Sequence, residues 1–166
     1  MKKLVCVLCL FSLIMLTACD PSIYKVEEYN LEGVISVELI EYDNPNQKQF
    51  ASWVPNHFSN LLPFELDKAR VLQTLDNAAL PEFISAFNEC EILHTYYAYN
   101  SPKDMCIRLN CDDGRFLIVW ANYNCDSYAG YIGEYLADGS VYSFWGCFCS
   151  LDDYVQLVNN YFNYII

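Results

Sequence analysis

The chain has 166 residues, with 21 acidic and 9 basic side chains, a formal charge of −12, and 54% hydrophobic residues. That length bounds it to one ordinary domain. The charge excludes a nucleic-acid partner, because an acid-rich surface repels phosphate backbones and offers few cations to displace their counterions.

Lys2 and Lys3 precede an uncharged apolar run from Leu4 to Ala18 that ends in small residues. This is the outline of a signal peptide, and the run is shorter than the about 20 residues a membrane-spanning helix needs. The tetrapeptide Leu16-Thr17-Ala18-Cys19 resembles the lipobox of bacterial lipoproteins, in which a branched apolar residue stands three before an obligatory cysteine. The resemblance implies a diacylglyceryl group, with palmitate-type acyl chains, on the Cys19 sulfur. It also implies cleavage between Ala18 and Cys19, which makes residues 1–18 the signal peptide and Cys19 the mature N-terminus. A thiolate is the side chain best suited to alkylation, and two or more acyl chains anchor stably where one is marginal. The membrane is then a partner through the lipid alone, and the location is the extracytoplasmic face of the cell membrane. In a host with two membranes, Asp20 resembles the signal that retains lipoproteins at the inner one.

Residues 19–30, with Pro21, scattered charges and little periodicity, read as a tether to a single domain over 31–166. A strand is predicted at Val34–Glu41 from its alternation. Residues 50–63 hold two prolines and no clean period, so they are either a buried irregular loop or a strand of odd register. A strand follows at Ala69–Leu75, and then a helix with Leu80, Phe83, Ile84 and Phe87 on one face and Pro81 in its first turn. Residues 91–99 read as a strand. Two hairpins turn at Asp113-Gly114 and Asp138-Gly139. The last predicted element is a helix opened by a capping-box-like Ser150 and Asp153, with Leu151, Tyr154, Val155, Val158, Tyr161 and Phe162 on one face.

The sum predicts an α+β fold, a largely antiparallel sheet of five to seven strands packed against two amphipathic helices in two layers. The order of pieces is similar to that of small lipoproteins of Firmicutes, from the "VISVELIEYDNPN" strand through the "NSP" turn to the "DDY" helix. That group carries no assigned activity, so the likeness implies no chemistry.

Of the nine cysteines, Cys6 and Cys9 leave with the signal peptide and Cys19 takes the lipid. Cys90, Cys106, Cys111, Cys125, Cys147 and Cys149 belong to the fold, either as long-range disulfides or as free thiols. Cys106 and Cys111 fall on opposite faces of one strand and do not pair. The two histidines, His57 and His94, carry no local signature of a Cys-His pair and read as residues satisfied by backbone carbonyls. No EF-hand loop, phosphate-binding glycine loop or nucleophile elbow is present, and Cys147-Phe148-Cys149 lacks the spacing of a zinc knuckle. No cofactor, metal or catalytic residue is therefore assigned.

Tyrosine is frequent, and Tyr97, Tyr99, Tyr131 and Tyr135 recur at period two on predicted strands. With Trp53 they form a candidate binding face for a peptide or glycan, set against ordinary sheet packing. The functional expectation is a lipid-anchored extracytoplasmic domain that binds a protein, peptide or glycan at the envelope. The rivals are an envelope-acting enzyme using a Cys/His pair and an immunity or inhibitor lipoprotein.

Overall fold

The computed structural model describes residues 23–25, 31–43, 61, 63–93, 102, 104–121, 130–148 and 150–164. Eight strands form one sheet: β1 (Ile23–Lys25), β2 (Val34–Tyr42), β3 (Ala69–Thr74), β4 (Glu91–Leu93), β5 (Asp104–Cys111), β6 (Phe116–Ala121), β7 (Gly130–Tyr135) and β8 (Val141–Phe148). Their spatial order is β1-β4-β8-β7-β6-β5-β2-β3, and every neighbouring pair is antiparallel. Helix α1 (Leu80–Asn88) lies between β3 and β4, and α2 (Leu151–Tyr161) follows β8. The predicted domain supplies seven of the strands. The eighth, β1, comes from the segment expected to be only a tether, and it pairs along β4 from Ile23↔Leu93 to Lys25↔Glu91.

Both expected hairpins form, and their turn chemistry is the same. In each, an aspartate takes the following backbone into an Asx turn: Arg115 N donates to Asp113 Oδ1 at 3.0 Å, and Ser140 N to Asp138 Oδ1 at 2.9 Å. Gly114 and Gly139 then adopt φ of 86° and 84°, the left-handed geometry that a three-residue hairpin loop requires and that glycine takes without strain. Pro81 stands in the first turn of α1, where its missing N–H costs nothing. Ser150 caps α2, but its hydroxyl accepts from Asp152 N, at 3.1 Å, where a capping box would use Asp153 N.

The chain leaves the sheet at β3, one edge, and re-enters at β4, six strand spacings away, or about 29 Å at about 4.8 Å each. Helix α1, about 14 Å long at 1.5 Å per residue, forms part of that crossing. Its Phe83 and Phe87 are fully buried in the same cluster as Val37, Leu39, Ile107, Val119, Ile132 and Phe148 of the sheet and Tyr154, Leu157 and Val158 of α2. Phe87 meets Phe148 edge-on at 6.0 Å, and Phe83 meets Tyr161 edge-on at 5.2 Å. The Tyr154 hydroxyl donates to Met105 O at 2.9 Å.

The opposite face buries a second cluster, in which Ile40, Tyr42, Cys106, Phe116, Ile118, Trp120, Tyr131 and Tyr135 of the sheet are joined by Leu61 and Phe64. Phe64 stacks on Tyr42 at 4.2 Å and its N–H donates to Gly139 O at 2.7 Å. The Tyr42 hydroxyl accepts from Glu65 N at 3.0 Å. A short segment is thereby strapped across the sheet beside the β7–β8 turn.

That strap separates the two turn glycines energetically. A Cβ at Gly139 would strike the Phe64 carbonyl oxygen, whereas at Gly114 its nearest neighbour would be Ala137 Cβ at 3.6 Å. Gly114→Ala should cost about 1–2 kcal/mol from backbone strain alone. Gly139→Ala should cost clearly more and loosen the strap, read as a larger drop in urea midpoint and faster cleavage near Phe64 in limited proteolysis. Equal midpoints would overturn the strap's place in the fold.

Candidate functional site

Tyr131 and Tyr135 share one strand face, as period two requires, but that face is closed over them. They are 1% and 0% exposed. Trp120 stacks on Tyr131 at 5.5 Å, and Phe116 stacks on Tyr135 at 5.5 Å, with Phe64 tilted against it at 5.7 Å. Burial pushes the Tyr135 hydroxyl well above the usual phenol range. The expectation of an open tyrosine stripe is corrected for these two residues, because periodicity assigns a face and does not say what lies over it. Trp53, Tyr97, Tyr99, His57, His94, Ala18, Cys19, Cys125 and Cys149 lie outside the described residues.

Cys90 and Cys111 are free thiols. Cys106 is buried in the strapped cluster while Cys111 packs against the helix-side cluster, so the expected opposition of faces holds. Burial, with Asp153 and Glu89 adding to it, pushes the Cys90 thiol up to about 12. Burial also raises Cys111, and Asp113 reinforces the shift. Thiols so placed stay protonated at neutral pH and are poor nucleophiles. Among the described residues, no group of three or more His, Cys, Asp or Glu side chains is placed to hold a metal ion.

The feature that sequence reasoning missed is a charged one. Glu134 is the only charged side chain among the buried described residues, at 7% exposure. It sits in β7 opposite Leu117 of β6 and Ser143 of β8. Arg115, the first residue after the Asp113-Gly114 turn, reaches it from just before β6: Nη1 lies 2.5 Å from Glu134 Oε1. Nε of the same guanidinium donates to Asp113 Oδ2 at 2.6 Å. The other Glu134 oxygen, Oε2, accepts from Trp145 Nε1 at 3.1 Å and from Ser143 Oγ at 3.4 Å. The Asp113 side chain, with Glu134 behind it, holds the Arg115 guanidinium above even its usual range. Arg115's backbone and side-chain donors in turn hold Asp113 below the usual carboxylate range.

These groups wall a cavity of about 230 Å³ lined by Leu31, Glu32, Val34, Cys111, Arg115, Leu117, Glu134 and Trp145. It lies at the end of the sheet that carries both tight turns. Arg115 also lies over the Tyr142 ring, 5.1 Å from its centroid, and Tyr142 is 58% exposed beside the mouth. The local signal in the sequence was a lone glutamate inside the otherwise apolar "GYIGEY" strand.

No family model, curated protein or solved structure matches the chain.

Two further polar groupings lie apart from this cavity. On the strapped face, Arg108 clasps Glu38, with Nε and Nη2 at 2.7 and 2.6 Å from Oε2, and Asn110 Nδ2 donates to Ser36 Oγ and Glu38 Oε2, both at 3.0 Å. This set ties β2 to β5. Between the helices, a cavity of about 160 Å³ is lined by residues that include Glu89, Cys90, Asp153 and Tyr161. Burial raises the Asp153 carboxyl, and Glu91 and Asp152 add repulsion.

Two predictions follow from these charges. Glu134→Ala leaves the Trp145 N–H and one arm of Arg115 without their acceptor, and should lower stability by about 2 kcal/mol. Asp113→Ala, at an exposed pair, should cost less than about 1 kcal/mol. Chemical denaturation of both variants checks the order. Because Asp153 holds its proton more tightly folded than unfolded, it destabilises the fold when charged, and stability is regained as pH falls through its raised folded value. Asp153→Asn should therefore melt above the native chain at pH 7, and the gap should close as pH drops below the ordinary value of 3.8.

Proposed function

We propose that the chain is a lipid-anchored extracytoplasmic domain, held at the outer face of the cell membrane through Cys19, which recognises a protein, peptide or glycan of the envelope. The observation that carries the reading is Leu16-Thr17-Ala18-Cys19 behind two lysines and an uncharged run. The acidic charge of the chain supports attachment by lipid over attachment by surface charge, since anionic headgroups repel it. Amphipathic α1 and α2 serve as the packing layer of one sheet face, a reading supported by the burial of Phe83, Phe87, Tyr154 and Val158. The Glu134 cavity supports recognition over catalysis. The Glu134 carboxylate is engaged by three donors and the Cys111 thiol is held protonated, so neither is poised as base or nucleophile. Of the expected binding face, Trp53, Tyr97 and Tyr99 stay within this reading, while buried Tyr131 and Tyr135 leave it.

The test is the intact mass and membrane partition of the full chain expressed in a bacterial host, with Cys19→Ala alongside. The expected product begins at Cys19, carries the mass of a diacylglyceryl group and pellets with membranes, whereas Cys19→Ala carries no acyl mass. A mature chain that begins elsewhere and carries no lipid would sink the anchoring. The soluble remainder of an envelope extract passed over the anchored domain should leave a saturable ligand behind, and a clean column would remove the recognition half of the reading.

A further inference from the structure

We propose that β1 is a releasable clasp on the tether, which gives the domain two lengths of leash and two corners at which that leash is attached. It rests on the anchoring half of the reading above and adds a conformational device to it.

On its way from Cys19 the chain meets the sheet twice. The first meeting is at β1, whose residues stand opposite Leu93, Ile92 and Glu91 at one edge. The second is at Leu31, which packs against the helix-side cluster and whose carbonyl accepts from Val34 N at 3.3 Å. Val34 opens β2, the seventh of the eight strands counted from the β1 edge, and lies in register with Cys111 just before the Asp113-Gly114 turn. Strand β4, by contrast, meets β8 at Phe148 and Cys147, the end of β8 far from the turn at Gly139. The two attachments therefore stand at opposite corners of the sheet.

The first attachment is the weaker. Strand β1 has one neighbour and three register pairs with it, whereas β2 has eight with β5 alone. Ordering the backbone of three residues costs entropy of about the same size as the net gain from so short a ladder, so the ladder by itself holds β1 marginally. Strand β4 does not depend on it. Ile92 is fully buried in the helix-side cluster, Cys90 beside it is 7% exposed, and β8 pairs with β4 on its other side. Release of β1 leaves β4 in place.

Release changes reach and attachment together. With β1 docked, the leash from Cys19 to Ile23 spans about 14 Å when fully extended; with β1 released, the leash runs to Leu31 and spans about 40 Å. The docked leash keeps the β1–β4 edge at the headgroups. The released one is fastened at the hairpin end and lets that edge swing out. A load drawing the domain away from the membrane favours release, because the longer leash yields along the pull.

The test uses the full chain, lipidated and held in vesicles, under limited trypsin with the cuts read by mass spectrometry. Lys25 closes β1 and Arg108 lies within β5, so a cut after Lys25 reports release and one after Arg108 reports opening of the sheet. With each rate divided by that of the corresponding free peptide, Lys25 should be cut at least about tenfold faster than Arg108, as a locally opened segment is populated far above the unfolded chain. Neighbouring strand residues turn their N–H groups to opposite sides, so Ile23→Pro with Tyr24→Pro removes an inward donor whichever residue supplies it. That double variant should be cut after Lys25 several-fold faster than the native chain. Equal rates at Lys25 and Arg108 would make β1 part of the core, and equal rates in native chain and double variant would mean that the clasp never closes; either overturns the proposal. A fluorophore at exposed Glu89, just before β4, should lose energy transfer to headgroup acceptors in the double variant, and unchanged transfer refutes the two lengths of leash. A chain without lipid removes the anchoring reading, while the cleavage rates still decide the clasp.

Discussion

Strands β6 and β7 are buried at every position along their length, and this two-sided burial is the constraint on which the rest of the molecule depends. A lone antiparallel sheet usually keeps one face wet. Here both faces of the central strands carry large side chains, with Leu117, Val119 and Ile132 on one side and Ile118, Trp120, Tyr131 and Tyr135 on the other. Each such side chain contributes roughly 1.5–3 kcal/mol only if something removes it from water. On one side these side chains share a buried cluster with Phe83, Phe87, Tyr154, Leu157 and Val158. On the other, Leu61 and Phe64 take that position through Tyr42, Phe116 and Tyr135, held by backbone bonds to the β7–β8 turn. Leu61 and Phe64, from the connection between β2 and β3, are therefore part of the core.

The same constraint explains the character of the Glu134 site. Burying a carboxylate between strands is costly unless its oxygens are hydrogen-bonded, and Arg115 from the turn before β6, with Ser143 and Trp145 from β8, meets that requirement. The arrangement clamps three strands at the end where the hairpins turn. It also fixes the direction of the Trp145 indole, so one wall of the cavity is rigid. An apolar residue at position 134 would close the core with less difficulty, and its absence leaves a polar recess walled by Arg115, Glu134 and Trp145.

Much of this architecture was legible in the sequence, and what was legible depended on local signals. Asp113-Gly114 and Asp138-Gly139 announce turns because few other pairs suit left-handed backbone after an Asx turn. Pro81 fixes where α1 begins, and the spacing of Phe83 and Phe87 gives its buried face. Alternation placed Cys106 and Cys111 on opposite faces, and Tyr131 and Tyr135 together. The cover over the tyrosines was not legible, because Phe64 reaches Tyr135 across 71 positions of chain and no short-range pattern records it. Nor was β1, since three residues pairing with three others, Ile23–Lys25 along Glu91–Leu93, carry no period of their own. Glu134 was missed for a related reason: its donors come from two other strands, and only the register of Leu117 and Ser143 against it brings Arg115 and Trp145 to its oxygens.

The short strand β1 bears on how a lipid at Cys19 would hold the domain. A free tether from Cys19 to residue 30 could stretch to about 40 Å at 3.3–3.6 Å per residue. Pairing of Ile23 with Leu93 cuts the slack to the residues between Cys19 and Ile23, about 14 Å when fully extended. Under the proposed anchoring, the β1–β4 edge is therefore kept close to the headgroups, and the acidic domain is held within roughly two Debye lengths of them at about 8 Å each. Repulsion from an anionic surface then acts on orientation as well as on approach. Asp112, Asp113, Asp138, Glu32 and Glu134 stand at the end where the hairpins turn and the cavity lies, while Glu91 in β4, with Asp152 and Asp153 near it, brings acidic charge to the β1–β4 edge as well. Strand β4 pairs with β8 at Leu93↔Cys147, the far end of β8 from the turn at Gly139. The β1–β4 edge and the cavity thus occupy different corners of the sheet.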